Sequence, residues 1–477
     1  MDSDINGKKI HVVVVPLPAQ GHLNQLLHFS RAIAERGVTV SFVAASTHIQ
    51  QVQHRVDGWD PHKFDIQFRE LPMPHLPGGE PDLKSNHMFP VHLIPLFEAT
   101  EDAFSPNLDL LVGSICSESN NRVVIVYDGP MGWVQTVATK YGIPAYVYSP
   151  AGAYPNFWFQ EGVNGQTASG LTVNISYKRC LPESYLTYAK RQHSLQGLAK
   201  GHILNTFSAM ESTFISRLRE EKIFGDKPVW TVGPLLPHPF FHDEQRLQIQ
   251  GADTVCLRWL DRQAPASVLY VSFGSMSSLP RAQVRELADG LERCGQPFLW
   301  VLRISDAAHF SPEDQTTWIC ECLPDGYERR LEGRGYIARD WAPQLEILLH
   351  KSTGGFLSHC GWNSTLESIS AGVPMMAWPL HSDQFANSAL ITRELKVGVQ
   401  VKEWRNADEN ELVVAEEVER AVKLLMVSEE GMEMRQRAQE LRYGARMAIG
   451  EGGSSRKDLD SLLYHFSHQF SNYSNKA

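Results

Sequence analysis

Short apolar runs rich in β-branched residues alternate with amphipathic segments along most of this chain, and this alternation limits the fold more than any other feature. The run at residues 10–15 is followed by a segment with apolar residues at helical spacing, which ends near Gly37. The pattern recurs at residues 122–150, 267–303 and 353–380. Continuous apolar strands separated by helices predict an α/β fold, with parallel sheets covered by helices on both faces.

The strand and helix units fall into two groups. A proline-rich segment without periodicity, VGPLLPHPFFHDEQ at residues 232–245, separates them. A chain of 477 residues is also long enough for two domains. We therefore predict one Rossmann-like domain at residues 1–240 and a second at residues 241–455, followed by an amphipathic segment at residues 456–477.

Composition excludes several classes of partner. The formal net charge of −10, without a stripe dense in Lys and Arg, argues against nucleic acid or an anionic membrane as a principal partner. The first residues are polar and Pro16 ends the first apolar run, so neither a signal peptide nor a membrane-spanning helix is predicted.

Seven cysteines in such a chain are expected to be reduced thiols in the cytoplasm. The C-x-C pair Cys320 and Cys322 is weak support for zinc, and we predict no metal site.

The string SHCGWNSTLES, at residues 358–368, follows one of the apolar runs. It reads as a loop and a helix that begins at about Asn363 or Ser364, with Glu367 in capping-box spacing to Ser364. Gly361 would let the backbone approach a ligand closely. In parallel sheets ligands bind beyond the carboxyl ends of strands, where helix amides favour phosphate. From this string alone, a phosphate site and an ordinary capped helix are equally supported.

The surroundings of this string carry a family resemblance. Residues 341–384 contain W-x-P-Q at the start, H-C-G-W-N-S-x-x-E in the middle and D-Q at the end, and resemble the carboxy-terminal signature of plant family 1 UDP-sugar glycosyltransferases. The segments PAQGH, VGPL, WLDRQ and SFGS occur in the expected order, so the resemblance covers nearly the whole chain. PAQGHLNQLLH, HLIPLFEA, DWAPQLEIL and WPLHSDQ are most similar to the zeatin O-glucosyltransferase-like branch.

The resemblance implies a GT-B-type fold, in which the two Rossmann-like domains face each other across a cleft and the segment at residues 456–477 forms a helix that returns to the first domain. It implies inverting transfer of glucose from UDP-glucose to a hydroxyl of a zeatin-type cytokinin, a flavonoid or another phenolic; C-glucosylation of a flavonoid stays open. UDP-glucose would be the donor substrate, with no further cofactor. The partners would be a UDP-sugar and a small apolar or aromatic acceptor, and the usual state a monomer.

The same resemblance assigns donor-binding roles. Uracil would stack on Trp341 and pair with the backbone of Ala342, and the ribose hydroxyls would contact Gln344 and Glu367. A carboxylate at Glu367 suits two vicinal hydroxyls near the positive end of a helix. The remaining residues would bind the diphosphate (His359, Asn363, Ser364 and Ser275) or the sugar (Trp362, Asp383 and Gln384).

Two residues of the first half carry the predicted chemistry. His22 follows Gly21 after the first strand, and Asp128 ends the apolar run at residues 122–128. A neutral imidazole at His22 could take the proton of an acceptor hydroxyl as it attacks the anomeric carbon. Asp128 could orient the ring and stabilise the imidazolium. Alternatively, His22 is a loop residue whose hydrogen bonds are satisfied locally, and Asp128 caps the helix that follows it.

The acceptor is expected to contact two irregular, apolar segments at residues 71–97 and 149–162, predicted as loops that line a pocket for a planar ligand. Partly buried scaffold loops explain these segments equally well. The residues predicted to line the pocket are Phe89, Ile94, Tyr154 and Phe157.

Two other classes of protein share part of these features. A dinucleotide-dependent dehydrogenase also has paired βα domains, but PAQGHLN after the first strand cannot supply a G-x-G-x-x-G motif. A catalytically inactive UDP-sugar binder would keep residues 341–384 and lose His22 or Asp128. Both residues are present, which favours the enzyme.

Overall fold

The computed structural model describes residues 9–53, 63–73, 89, 91–118, 122–164, 180–237, 254–274, 279–303, 312–403 and 411–470. These residues contain a seven-stranded and a six-stranded sheet. The strands of the first sheet are β1 (Ile10–Val15), β2 (Thr39–Ala45), β3 (Ile66–Leu71), β4 (Arg122–Asp128), β5 (Ala145–Ser149), β6 (His202–Leu204) and β7 (Val229–Thr231). Those of the second are β8 (Val268–Ser272), β9 (Phe298–Val301), β10 (Gly335–Ala338), β11 (Thr353–Ser358), β12 (Met375–Ala377) and β13 (Gly398–Gln400).

Helices connect the strands and cover the sheets. In the first half they are α1 (Gln20–Ala34), α2 (Ser46–Gln53), α3 (Ile94–Glu118), α4 (Val134–Lys140), α5 (Ala153–Asn164), α6 (Glu183–Leu195) and α7 (Ser208–Glu220). In the second half they are α8 (Thr254–Leu260), α9 (Arg281–Cys294), α10 (Pro312–Cys322), α11 (Tyr327–Arg330), α12 (Gln344–Leu349), α13 (Trp362–Ala371), α14 (Gln384–Ala389), α15 (Ala415–Val427), α16 (Glu429–Ile449) and α17 (Ser454–His468).

Both sheets are parallel, which confirms the α/β prediction. Their strand orders are β3-β2-β1-β4-β5-β6-β7 and β10-β9-β8-β11-β12-β13. In each sheet the order reverses beside the first strand, between β1 and β4 and between β8 and β11. Ligands bind at the carboxyl ends of strands at such reversals. The topology therefore marks the ends of these four strands as the place for a site.

The apolar strands are buried on both faces, as their composition predicts. All six residues of β1 are buried, and alternate residues belong to two clusters. Val12 and Val14 pack with residues of α1 and α17, whereas Val13 and Val15 pack with residues of α3 and α4. Helices on both faces of the sheet exclude water from the strands, so the loops at their carboxyl ends are held on a rigid support.

The last helix, α17, packs on the first sheet. Asp458 accepts hydrogen bonds from the backbone and the hydroxyl of Thr231, both at 2.8 Å. The ring of the buried Phe466 lies 4.7 Å from that of Tyr146 on β5. Helix α17 thus follows the second sheet in the chain but packs on the first, and these contacts tie the two halves together.

The predicted loop at residues 149–162 is largely a helix, α5. The carboxylate of Glu211, far along the chain and fully buried, accepts hydrogen bonds from the backbone amides of Ala153 at 2.9 Å and Tyr154 at 2.7 Å. These bonds satisfy first-turn amides that otherwise have no partner within the helix. The other predicted loop, residues 71–97, lies mostly outside the described residues, and its last residues, from Ile94, begin α3.

Three properties of the described part of the chain concern membranes, metal ions and disulfides. No helix there is both long enough and apolar enough to cross a bilayer. No three His, Cys, Asp or Glu side chains within it are grouped to hold a metal ion. All seven cysteines are free thiols.

Candidate active site

A cleft with a volume of about 490 Å³ lies where the carboxyl ends of the two sheets meet. One wall comes from the turn after β1, the end of β4 and helix α6. The other comes from β8, the turn before α12, the turn after β11 and the residues around the start of α14. The fold thus brings together the two regions that carry the predicted catalytic and donor-binding residues.

His22 and Asp128 form a hydrogen-bonded pair on the first wall. His22 lies in the first turn of α1, and its Nδ1 is 2.7 Å from Oδ2 of Asp128 at the end of β4. The same carboxylate oxygen accepts the backbone N–H of Leu17 at 3.2 Å. Asp128 is fully buried, whereas 27% of the His22 side chain is exposed. Because Nδ1 is engaged by the carboxylate, Nε2 is the ring nitrogen left to accept a proton from a ligand.

The charges around His22 favour its protonated form. Burial lowers the pKa of His22, but the negative charge and hydrogen bond of Asp128, together with the charge of Asp383, outweigh it and raise the pKa above its ordinary value. Burial raises the pKa of Asp383, partly offset by a hydrogen bond from Asn387 and the charge of His22. The negative charges of these two aspartates therefore help His22 to hold the proton it receives.

A chain of hydrogen bonds organises the predicted ribose site on the second wall. The hydroxyl of Tyr270 donates to Oε1 of Gln344 at 3.1 Å. The amide nitrogen of Gln344 donates to Glu367 at 2.5 Å and to the hydroxyl of Ser364 at 3.1 Å. Tyr270 thereby fixes which way the Gln344 amide points, and all four residues line the cleft.

His359 lies at the predicted diphosphate position between two glycines. A Cβ atom at Gly274 or Gly361 would approach its Nε2 to 2.7 or 2.5 Å, so only glycine leaves room for the ring in this position. Its Nδ1 is buried without a hydrogen-bond partner among the described residues. Burial lowers the pKa of His359 to about 4. The ring is therefore neutral near pH 7 and can bind a phosphate as a hydrogen-bond donor.

The start of α13 differs from the prediction of a capped helix. The helix begins at Trp362, and its N-cap residue is Gly361, which makes no side-chain cap. The amide of Asn363 instead donates to the backbone oxygen of Gly21 at 2.9 Å, and Ser364 accepts from Gln344. Partners from elsewhere in the fold take these polar side chains away from local capping.

Trp362 joins the two halves of the protein. Its indole N–H donates to the backbone oxygen of Asn205 at 2.8 Å, and its ring packs against Gly152. Only 3% of the residue is exposed, although it borders the cleft. Its buried ring therefore acts as a contact between the domains, and a sugar contact, as predicted from the resemblance, is left to its backbone.

Asp383 and Gln384 stand at the start of α14, on the border of the cleft. Oε1 of Gln384 accepts the backbone amides of Leu380 at 2.8 Å and His381 at 3.0 Å. The Gln384 amide nitrogen lies 3.3 Å from Nε2 of His381. This arrangement presents N–H groups and a carboxylate side by side, the combination that pairs with neighbouring sugar hydroxyls.

The remaining predicted donor residues are Trp341, Ala342 and Ser275. Trp341 and Ala342 line the cleft just before α12. Ser275 lies outside the described residues.

Of the four residues predicted to line the acceptor pocket, only Phe89 does so. Tyr154 and Phe157 are fully buried, with the Tyr154 ring 4.7 Å from that of Phe214. This part of the prediction is wrong because residues 153–164 form α5, which turns these two side chains into the core and presents Asn156 and Phe159 of the same helix to the cleft. Ile94 is also buried and does not line the cleft.

Sequence reasoning missed several residues of the cleft. Phe97 and Tyr185 border the acceptor side, and Tyr270 and Arg303 border the donor side. Tyr270 carries a signal of its own, since its hydroxyl interrupts the apolar run SVLYVSF. Phe97 is the last residue of the segment at residues 71–97 that is predicted to contact the acceptor, whereas Tyr185 and Arg303 lie in segments whose pattern gives no indication of the cleft.

Two parallel α/β domains, with a His–Asp pair across a cleft from the predicted ribose and diphosphate residues, are the arrangement expected of a two-domain transferase of the nucleotide-sugar class. Residues 8–237 match the family described as "Glycosyltransferase, N-terminal domain", and residues 247–429 match "UDP-glucoronosyl and UDP-glucosyl transferase". The chain belongs to this family of UDP-dependent glycosyltransferases and uses a UDP-sugar as donor substrate.

Similar proteins agree with this assignment. The chain is 38% identical to a zeatin O-glucosyltransferase of Phaseolus lunatus, over 96% of this chain and 97% of that protein. It is 37% identical to a zeatin O-xylosyltransferase of Phaseolus vulgaris, over 96% and 98%. Among solved structures, Phytolacca americana UGT2 complexed with UDP-2-fluoro-glucose and pterostilbene has a TM-score of 0.76 and 29% identity, covering 96% of this chain and 100% of that one.

Proposed function

We propose that the protein transfers glucose from UDP-glucose, with inversion at the anomeric carbon, to a hydroxyl of a small plant acceptor. The observation that carries this proposal is the position of the His22–Asp128 pair across one cleft from the Gln344–Glu367 pair and His359. The first pair can take a proton, and the second wall offers partners for ribose and phosphate.

The donor would lie along the second wall. Uracil would stack on Trp341, Glu367 would accept from the ribose hydroxyls, and the neutral ring of His359 would donate to the diphosphate. The amino end of α13 adds its backbone amides and positive dipole end, which stabilise phosphate without a metal ion. Asp383 and Gln384 would then contact the sugar.

His22 would act as the general base. Its Nε2 would accept the hydroxyl proton while the acceptor oxygen forms the new bond to the anomeric carbon and the bond to UDP breaks. Asp128 would hold the ring and stabilise the imidazolium. Direct attack by the acceptor, in a single displacement, inverts the configuration.

The acceptor would be flat and largely apolar. The rings of Phe89 and Tyr185 lie 5.1 Å apart and, with Phe97, form an aromatic wall of the cleft that His22 also lines. Such a wall suits a purine or a phenolic ring. The similarity to zeatin transferases favours a zeatin-type hydroxyl first, with flavonoids and simple phenols second.

A product assay tests the proposal. The enzyme is incubated with UDP-glucose and a panel of trans-zeatin, cis-zeatin, flavonoids and phenols, and product linkage is determined by acid lability and proton NMR coupling. We expect an acid-labile β-glucoside. An acid-stable product would show C-glucosylation, an α-linked product would exclude the inverting mechanism, and tight UDP binding without any turnover would show an inactive binder.

We further propose that the domains comprise residues 1–240 and 241–455, with residues 456–477 forming the returning helix, and that the protein is a cytoplasmic monomer. The two sheets and the packing of α17 on β7 support the domain bounds, and the seven free thiols support the cytoplasmic location. The monomeric state is the one that the family resemblance implies. Light scattering on the purified protein and a fluorescent fusion in plant cells test the last two.

A further inference from the structure

His381 lies between the donor and acceptor sides of the cleft and has no role in the mechanism above. Only 8% of it is exposed. Its ring meets that of Phe89 edge-on, with 5.4 Å between centroids and 73° between planes. On its other side, its Nε2 lies 3.3 Å from the amide nitrogen of Gln384. One side chain therefore contacts both the acceptor wall and the residue proposed to contact the sugar.

The hydrogen bonds determine how His381 and Gln384 interact. Because Oε1 of Gln384 accepts two backbone amides, the group facing His381 is the amide nitrogen, which can only donate. Nε2 of His381 is therefore the acceptor, and Nδ1 carries the hydrogen and donates to the hydroxyl of Ser382 at 2.8 Å. Burial, and then the positive charge that His359 carries in acid, lowers the pKa of His381 to about 3, so the ring is neutral near pH 7.

We propose that His381 is a positioning residue that fixes the amide plane of Gln384 and thereby determines which UDP-sugar the enzyme prefers. The two backbone amides hold only Oε1, so the plane can still swing about that atom. The bond to His381 stops this motion and occupies one N–H of Gln384. The second N–H can then point in only one direction in the cleft. The inference rests on the proposed contact between Gln384 and the transferred sugar.

Two substitutions separate the roles of His381. His381→Phe keeps a ring against Phe89 but removes the acceptor for Gln384. His381→Gln removes the ring but keeps an acceptor oxygen at similar reach. A second variant without an acceptor, His381→Leu, serves if the phenylalanine variant does not fold, and thermal unfolding checks all three.

The measurement is the ratio of kcat/KM for UDP-glucose to that for UDP-galactose, which differ at one sugar hydroxyl. We expect this ratio to fall about threefold to tenfold in His381→Phe and His381→Leu, the effect of one lost hydrogen bond. In His381→Gln it should stay within about twofold of the wild-type ratio. Phe89→Leu is the matched control from the acceptor side, and it should raise KM for the acceptor without changing the donor ratio.

The outcomes distinguish this inference from the function on which it rests. A folded, active His381→Phe or His381→Leu with the wild-type donor ratio would overturn the positioning role. Equal loss of the ratio in the glutamine variant would do the same, because a general packing defect would then explain it. If the wild-type enzyme transferred sugar from neither donor, the proposed function itself would fail.

Discussion

His22 and Asp128 are separated by 106 positions in the chain, yet Nδ1 of the histidine lies 2.7 Å from Oδ2 of the aspartate. The parallel pairing of β1 with β4 creates this proximity, because it places the turn before His22 beside the last residue of β4. The pair is held by the end of β4 and the first turn of α1.

The first prediction concerns the base. His22→Ala should lower kcat for an aliphatic alcohol acceptor by about 10²- to 10⁴-fold, because proton transfer is lost. KM for UDP-glucose should barely change, since almost all of the donor wall belongs to the other domain. A nitrophenol, which arrives partly ionised, should be the least affected acceptor. Near-normal kcat with the alcohol in a folded variant would contradict the mechanism.

The second prediction follows from the charges near His22. The ring accepts a proton only when neutral, so kcat/KM for an acceptor that does not ionise should rise with pH through an apparent pKa above 6.5, the ordinary histidine value. In Asp128→Asn the charge that raises this pKa is gone and burial remains, so the inflection should move to lower pH while the plateau rate falls. An unchanged inflection would show that another group titrates. The double variant that carries both Asp128→Asn and His22→Ala should have the same kcat as His22→Ala alone, because the two residues act as a unit.

The third prediction tests the ribose site. Glu367→Gln should weaken UDP binding about tenfold or more, because a charged acceptor of two hydroxyls is replaced. Calorimetry with UDP and 2′-deoxy-UDP provides the control: the wild type should discriminate between them and the variant should not. Tyr270→Phe should cost only a few-fold, since it loosens Gln344 without removing a ligand contact. If the wild type and Glu367→Gln discriminated equally between UDP and 2′-deoxy-UDP, Glu367 would not contact the ribose.

The fourth prediction concerns His359. His359→Ala should weaken UDP binding, and the ratio of variant to wild-type Kd should be constant between pH 6 and 8, because a pKa of about 4 keeps the ring neutral over this range. A ratio that grows on acidification would indicate a charged ring.

Gly361→Ala tests the same ring through its neighbour. Its new Cβ would lie 2.5 Å from Nε2 of His359, so it should displace the ring and weaken UDP binding. Added to His359→Ala, it should have little further effect. A full additional loss would mean that Gly361 acts through its backbone instead.

The fifth prediction concerns the returning helix. Asp458→Ala leaves the amide and hydroxyl of the buried Thr231 without their partner and should lower the free energy of unfolding by about 1–3 kcal/mol. Asp460→Ala, which breaks only a partly exposed ion pair with Arg36, is the matched control and should cost about 1 kcal/mol or less. Thermal unfolding of both variants measures the difference, and equal midpoints would argue against the role of Asp458.

Local sequence patterns were sufficient to predict the parallel strands and the position of the candidate catalytic residues. The apolar runs predicted parallel strands, and the position of His22 after one such run and of Asp128 at the end of another predicted that both lie at the carboxyl edge of one sheet. Periodicity and strand composition report burial on one or both faces, which is a property of each segment by itself. The segment at residues 341–384 likewise carries its family signature within one contiguous stretch.

Other features were decided by the tertiary structure. Residues 153–164 form a helix because Glu211, distant in sequence, binds its first amides, and that helix buries Tyr154 and Phe157. Trp362 is held by Asn205 of the other domain. The direction of a side chain depends on partners that only the assembled fold supplies. The sequence by itself therefore determined the sheets and the chemistry at their edges, whereas long-range hydrogen bonds and packing decided which side chains face the ligand.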